Sequence, residues 1–261
     1  MKRTNLIGIS LVASALLCSA GCASRHHATG GKPEHGVHWS YAGDTGPGNW
    51  GKLAPEYALC STGRRQSPID ISPAAARDLA NISFNYQPLP LNVVNNGHTA
   101  QVNAAPGSFI TIDGERFDLA QFHFHSPSEH TIRGVQADAE MHLVHKSADG
   151  GLAVEGVMLQ RGAHNPAFDP VWNNIPAPGQ TATPSGAFVN AAALLPADTR
   201  TFRYDGSLTT PPGTEGVRWN LMVQPVTVSS SQLAAFRRHY HGNNRPVQAL
   251  NGREVVEDVS P

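Results

Sequence analysis

A chain of 261 residues, 40% hydrophobic and 15% charged, is long enough to bury one sizeable core, and mostly-β domains of this length commonly form a single unit. The formal net charge of −1 excludes the basic balance of a nucleic-acid binder, so no nucleic acid is expected as a partner. Twenty-five glycines and twenty prolines spread along the chain point to many turns between short strands.

In chain order, the first twenty-odd residues read as an export signal. Lys2 and Arg3 give a positive start, Leu6 to Leu17 an apolar centre too short to span a bilayer comfortably, and Ser19-Ala20-Gly21 small residues for cleavage. Two processing routes stay open. Cleavage after Ala20 gives a soluble exported, periplasmic protein; cleavage before Cys22 leaves a lipid anchor on that cysteine, although Ser19 stands where such a site usually has leucine. The expected organisation is a signal over 1–22, a flexible His- and Gly-containing linker over 23–37 and one globular domain over 38–261. Cys60 is then the single cysteine of the domain, read as a buried free thiol.

The globular part opens at Trp39-Ser40-Tyr41 and Trp50, aromatics separated by Gly and Pro that imply an ordered loop. An Ala-rich run predicts a helical turn from Pro73 to Leu79. Leu91 to Asn95, Thr99 to Asn103 and Ser108 to Ile112 are β-prone, with turns at Asn96-Gly97, Pro106-Gly107 and Asp113-Gly114. Strands are also expected at Arg116 to Ser126, Ala137 to Ser147, Leu152 to Arg161 and Val217 to Val223. The Pro-, Ala- and Asn-rich run from Gly162 to Leu195 predicts a surface path with a helical turn at Asp169 to Ile175, and Ser231 to His239 reads as a helix. The fold class is mainly β (mixed α/β), with a few short helices around the strands.

The chemistry concentrates at Gln121-Phe122-His123-Phe124-His125. Side chains alternate on a strand, so His123 and His125 share a face with Gln121 while the phenylalanines point into a core. If the strand carrying Glu140-Met141-His142 lies alongside, His142 joins the pair. Three neutral imidazoles suit Zn2+ and leave an open position, the pattern of a catalytic site; a structural site would close with a fourth ligand, usually cysteine. Gln121 and Glu140, each two residues before a histidine on the same face, can take the other ring N–H of His123 and His142. A single His-x-His is more often a hydrogen-bonded core pair; three histidines with such neighbours are not.

Seven blocks make a resemblance specific. They are Gln66-Ser-Pro-Ile-Asp70, Asn95-Asn-Gly-His98, Gln121 to His125, Ser128-Glu-His-Thr131, Glu140 to His145, Ser207-Leu-Thr-Thr-Pro-Pro212 and Asn243-Asn-Arg-Pro246. In that order, across Trp39 to Val256, the chain resembles the α-class carbonic anhydrases. The resemblance implies a large, twisted, mostly antiparallel central sheet with the zinc at the base of a cone-shaped cleft. It implies reversible hydration of carbon dioxide to bicarbonate and a proton, by a zinc-bound hydroxide on His123, His125 and His142.

Thr209 is implied to accept the hydroxide's hydrogen bond and to donate to Glu129. His98 is implied to shuttle the proton, a task suited to a group titrating near neutrality, with Tyr41, Asn96 and Gln101 in the water chain. Val144, Val154, Leu208, Thr210 and Trp219 resemble the substrate pocket, and His130 and His145 resemble structural histidines. Sulfonamide and anion inhibitors, and a side esterase activity, are expected on the same grounds. Exported bacterial members usually pair a cysteine at the Cys60 position with one just after Thr-Thr-Pro-Pro; here that place is Gly213. Two other readings fit parts of the chain: a non-catalytic binding domain of the same fold, and a periplasmic zinc-binding protein using its His-bearing tail.

Overall fold

Phe117, Leu119, Phe122 and Phe124 all reach one core from the strand Glu115–His125, which a strict two-residue period forbids, since 119 and 122 differ in phase. The antiparallel neighbour Ala139–Ser147 resolves it. Val144 pairs with Gln121 and His145 with Leu119, so Ala120 is an extra residue, a β-bulge. Without it, Gln121, His123 and His125 would share the face of Phe117 and Leu119 and be driven into the core. The bulge lets both halves of the strand feed the same core while the histidines face the other side.

The computed structural model describes residues 37–72 and 74–260; the expected signal and nearly all of the expected linker lie outside the described residues. The central sheet has thirteen strands. Its main path runs Thr181–Ala182, Val93–Asn95, Ala100–Asn103, Glu115–His125, Ala139–Ser147, Leu152–Arg161, Glu215–Met222, Thr201–Ser207, Val256–Asp258 and Ala75–Arg77. Most pairings are antiparallel. The exceptions in this sheet join Leu152–Arg161 to Glu215–Met222 and to Val226–Val228, and Val256–Asp258 to Ala75–Arg77.

The two faces of the sheet carry separate cores. One packs Phe122, Phe124, Leu143 and Val157 against Phe168, Trp172 and Phe236, with Phe124 at 5.4 Å from Trp172 and 6.0 Å from Phe236 between ring centroids. Burial of each such side chain contributes about 1.5–3 kcal/mol. The other packs Ile69, Val154, Tyr204, Trp219 and Leu221, with Val144 and Leu208 half-buried against it. The helix Ser230–Arg237 starts from a capping box, the Ser229 hydroxyl accepting from Gln232 N and the Gln232 side chain accepting from Ser229 N. At its other end Arg237 donates to the Ser126 hydroxyl and to the Asp138 carbonyl, tying the helix to the strand end that carries His125.

Two expectations are corrected, and one strand is new. The Ala-rich stretch is not helical: Ala75–Arg77 is an exposed edge strand, because its backbone pairs with Val256–Asp258 and that tertiary pairing overrides local propensity. The run from Gly162 to Leu195 is not merely superficial. It has the predicted short helix at Asp169–Trp172, but Phe168, Val171, Trp172, Val189, Ala191 and Leu194 are buried in the larger core. Thr201–Ser207 is a full strand of the central sheet beyond those expected, with Phe202 and Tyr204 alternating with Arg203 and Asp205.

Cys60 is a buried free thiol, with its Sγ 2.8 Å from where a Cβ on Gly213 would stand. Glu155 is the least expected buried group. It is fully buried beside Asn220, whose Nδ2 donates to its Oε1 at 2.9 Å. Burial pushes this carboxyl from its ordinary 4.5 up to about 8, against the opposing Arg203 charge and the Asn220 hydrogen bond. The folded protein therefore keeps a proton that the unfolded chain has already lost. This contribution is fully present below pH 4.5 and is lost as pH rises through about 8. Thermal melts between about pH 5 and pH 8 should show Glu155→Gln losing less stability with rising pH than the unsubstituted protein; equal slopes would refute the assignment.

Candidate active site

His142 pairs directly with His123 across the Glu115–His125 and Ala139–Ser147 strands, so a cross-strand register and one i,i+2 step bring three imidazoles together. Ring centroids lie 5.0 Å apart for His123 and His125, 5.3 Å for His123 and His142, and 4.6 Å for His125 and His142. One nitrogen from each ring falls within 4.8 Å of the others.

Each ring's remaining nitrogen is committed. His123 Nδ1 donates to Gln121 Oε1 at 2.8 Å, His125 Nδ1 to the Asn243 carbonyl at 2.7 Å, and His142 Nε2 to Glu140 Oε1 at 2.7 Å. These partners leave His123 Nε2, His125 Nε2 and His142 Nδ1 as lone-pair donors. His125 Nε2 is buried with no hydrogen-bond partner, an orphan that a metal ion would satisfy. Burial drives all three below the ordinary imidazole range: His123 far below, with His125 and His142 adding to the effect, His125 to about 4, and His142 against the pull of Glu140. Neutral imidazoles are the form that binds a metal. The donor set fits zinc.

Glu140 does more than hold His142. Its Oε1 also takes His130 Nδ1 at 2.7 Å, and its Oε2 takes the backbone N–H groups of Glu129 and His130 at 2.8 Å each. Burial alone would raise this carboxyl; the charges and hydrogen bonds of His130 and His142 outweigh it and hold it well below the usual range. His130 Nε2 in turn meets the Tyr204 hydroxyl at 2.6 Å, and that hydroxyl meets Ser67 Oγ at 2.8 Å. His145 is bonded to the Tyr86 hydroxyl at 2.8 Å. Both histidines read as structural thus have side-chain partners outside the three imidazoles: His130 spans Glu140 and Tyr204, and His145 holds Tyr86 through its Nε2.

Glu129 is fully buried, its Oε2 3.6 Å from His125 Nε2 and 3.9 Å from His142 Nδ1, while its Oε1 accepts from Arg245 N at 2.8 Å. Burial raises this carboxyl to about 7; His142, the Arg245 N–H and the Thr209 hydroxyl oppose the rise. Thr209 is buried beside it, and Thr210 is half-buried with its carbonyl accepting from Gly213 N. Val144, Val154, Leu208 and Trp219 all belong to the second apolar cluster, and the Trp219 ring lies 4.8 Å from His142.

The residues read as a proton path divide. His98 is half-buried, stacked on Trp39 at 3.7 Å and 6°, with the Tyr41 ring edge-on at 6.3 Å. Burial, then the nearby His38, lowers His98 below the ordinary imidazole value. His98 is thus partly shielded by the Trp39 ring. Asn96 Oδ1 is occupied by the backbone N–H groups of His98 and Thr99, so it locks the turn. Gln101 sits opposite His123 in register but donates to Asn103 Oδ1 at 2.7 Å.

Asn243 and Arg245 belong to the Asn243 to Pro246 block and Trp39 to the opening loop, but none of the three had an expected contact in the site. Asn243 supports His125 through its carbonyl and Ser126 N through its side chain, and Arg245 supports Glu129 through its amide. Main-chain contacts leave no side-chain signature.

Comparison with known proteins follows the same lines. The eukaryotic-type carbonic anhydrase family model matches residues 45–259. A carbonic anhydrase of Pectobacterium carotovorum is 45% identical over 84% of this chain and 91% of its own, and one from Nostoc sp. is 44% identical over 85% and 87%. A hyperthermostable carbonic anhydrase from a hydrothermal vent chimney superposes with a TM-score of 0.82 at 47% identity, covering 85% of this chain and all of its own. The Thermovibrio ammonificans α-carbonic anhydrase, solved with the inhibitor sulfanilamide, also gives 0.82, at 45% identity over 85% and 99%. This chain belongs to the eukaryotic-type (α) carbonic anhydrase family.

Proposed function

We infer that the chain catalyses the reversible hydration of carbon dioxide, the activity of its family, with zinc held by His123 Nε2, His125 Nε2 and His142 Nδ1. The observation that carries this is the commitment of each ring's other nitrogen, which leaves three lone pairs converging on one buried point. Zinc bound by three imidazoles acidifies water to near neutrality, a property established for this family, and so supplies a strong oxygen nucleophile at physiological pH.

The chain's own groups then aim and feed that chemistry. Glu129, anchored by Arg245 N, accepts a hydrogen bond from the Thr209 hydroxyl, which leaves only acceptor lone pairs on Thr209 facing the attacking oxygen. This fixes the direction of attack without moving a proton along the chain. Val144, Val154, Leu208 and Trp219 offer an apolar surface suited to an uncharged, non-polar gas and poor for the charged product. His98, held against Trp39, carries the released proton outward, with Tyr41 at its edge. The sulfanilamide complex of the Thermovibrio relative supports binding of sulfonamides by this chain as well. The signal-like pattern of Lys2, Arg3 and the apolar run to Leu17 supports action outside the cytoplasm, with Cys22 the place for a lipid anchor.

Stopped-flow hydration assays before and after complete zinc removal should show activity lost with the metal and restored by reloading. Activity that survives removal, or is absent from fully loaded protein, would overturn the function. Glu140→Ala should weaken zinc affinity about 10–100-fold, because His142 loses its orienting carboxylate, and metal-competition titration measures this directly. His98→Ala should slow turnover mainly at low buffer concentration. Because His98 titrates below the ordinary imidazole range, its contribution should persist at mildly acidic pH and fall only as pH drops through that lowered value. An equal loss at every buffer concentration would exclude a shuttle.

A further inference from the structure

Gln66 and Arg245 are polar, buried to 3% and 1% exposure, and have no part in the chemistry above beyond the Arg245 amide. The Arg245 guanidinium forms no ion pair with a carboxylate among the described residues. Its Nη1 donates to Gln66 Oε1 at 2.9 Å and to the Ser67 carbonyl at 2.7 Å, and its Nη2 to the Cys60 carbonyl at 2.8 Å. From its other end, Gln66 Nε2 donates to the Gly213 carbonyl at 2.9 Å and to Glu215 Oε1 at 3.1 Å.

Gly213 lies in the loop that carries Thr209. That loop closes on itself through Leu208 N to the Thr214 carbonyl and Gly213 N to the Thr210 carbonyl, each at 2.9 Å. The Gly213 carbonyl is thus a point where it is held from outside. On the far side, Arg245 N donates to Glu129 Oε1 at 2.8 Å. A continuous path runs from Glu129 through Arg245 and Gln66 to Gly213, and so joins the carboxylate to the loop bearing its hydroxyl partner. Cys60 packs its thiol against Gly213, so no covalent link crosses this gap.

We propose that Gln66 is a positioning residue, whose amide bridges Arg245 and Gly213 and thereby sets Thr209 against Glu129 in place of a covalent brace. A primary amide is suited to this because one end accepts from the guanidinium while the other donates to the carbonyl; a carboxylate can only accept, and a thioether offers no donor. The proposal rests on the reading of Thr209 as the acceptor that orients the attacking oxygen.

The test uses Gln66→Met, which keeps a long unbranched side chain and removes its hydrogen bonds to Arg245, Gly213 and Glu215. With zinc content unchanged, kcat/KM for carbon dioxide should fall about ten-fold or more, the scale expected when an orienting group is displaced. The buffer dependence of kcat, which reports the His98 path, should keep its shape. In zinc-free protein, amide exchange at Leu208 and Gly213 should accelerate.

A second variant, Gln66→Met with Gly213→Cys, oxidised until its free-thiol count shows the bridge to Cys60, should recover most of the lost kcat/KM and lose it again on reduction. Arg245→Lys, which keeps the charge but not the fork, should shift kcat/KM and amide exchange in the same direction as Gln66→Met. Wild-type kcat/KM in Gln66→Met, or a loss unchanged by the bridge once formed, would overturn the proposal. Thr209→Val separates the two readings. If it leaves kcat/KM intact, the Thr209 assignment fails; if it lowers kcat/KM while Gln66→Met does not, only the bridge fails.

Discussion

One buried carboxylate holds the site together. Glu140 accepts four hydrogen bonds, from His142 Nε2, His130 Nδ1 and the backbone N–H groups of Glu129 and His130, in a place with no solvent exposure. A lone carboxylate there would be strongly unfavourable. Four donors stabilise its charged form, and that charge fixes the tautomer of His142, pins the backbone at Glu129 and orients His130. From His130 the same order passes through Tyr204 to Ser67, and Ser67 exchanges hydrogen bonds with Ser207, two residues before Thr209. The histidine cluster and the threonine loop are thus two ends of one polar network. Its members depend on one another, since a partly satisfied buried network costs more than an apolar core.

The sheet makes room for this network by turning the larger apolar core and the histidine cluster to opposite faces. The bulge at Ala120 is the decisive backbone feature. It changes the phase of one strand, so that Phe117 and Leu119 before it and Phe122 and Phe124 after it share a core. A second irregularity, between Gly206 and Ser207, shifts the register at the end of the strand that leads into Leu208 and Thr209. Both bulges lie next to functional residues, where redirecting a side chain matters more than one lost ladder contact. On the core side of the sheet, Glu155 and Asn220 directly follow Val154 and Trp219, the paired residues of the apolar wall. Their polar pairing introduces a titrating group just behind that wall.

Much of the site could be read from residue types alone. His123, His125 and His142 carry their chemistry in their side chains, and the two-residue offsets of Gln121 and Glu140 follow from strand pleating, whatever the rest of the fold. Strands with strong alternation or clear turns, such as Leu152–Arg161, were legible for the same local reason. Ala75–Arg77 was misread because its partner lies at the other end of the chain, and no local pattern records that pairing. The burial of Phe168 and Trp172 likewise depends on Phe124 and Phe236 meeting them from distant segments.

The sequence by itself determined which residues can bind a metal, which faces they occupy within each strand, and that one thiol stands without its usual partner. Only the tertiary structure decided that His142 registers against His123 and that Asn243 and Arg245 support the site through main-chain atoms. It also decided that Asn96 and Gln101 spend their polar groups on local turns and strands, and that His98 is shielded by Trp39. The division has a physical cause. Side-chain chemistry and pleat periodicity are properties of a few adjacent residues, whereas register, main-chain hydrogen bonds and burial arise only when segments far apart in the chain meet.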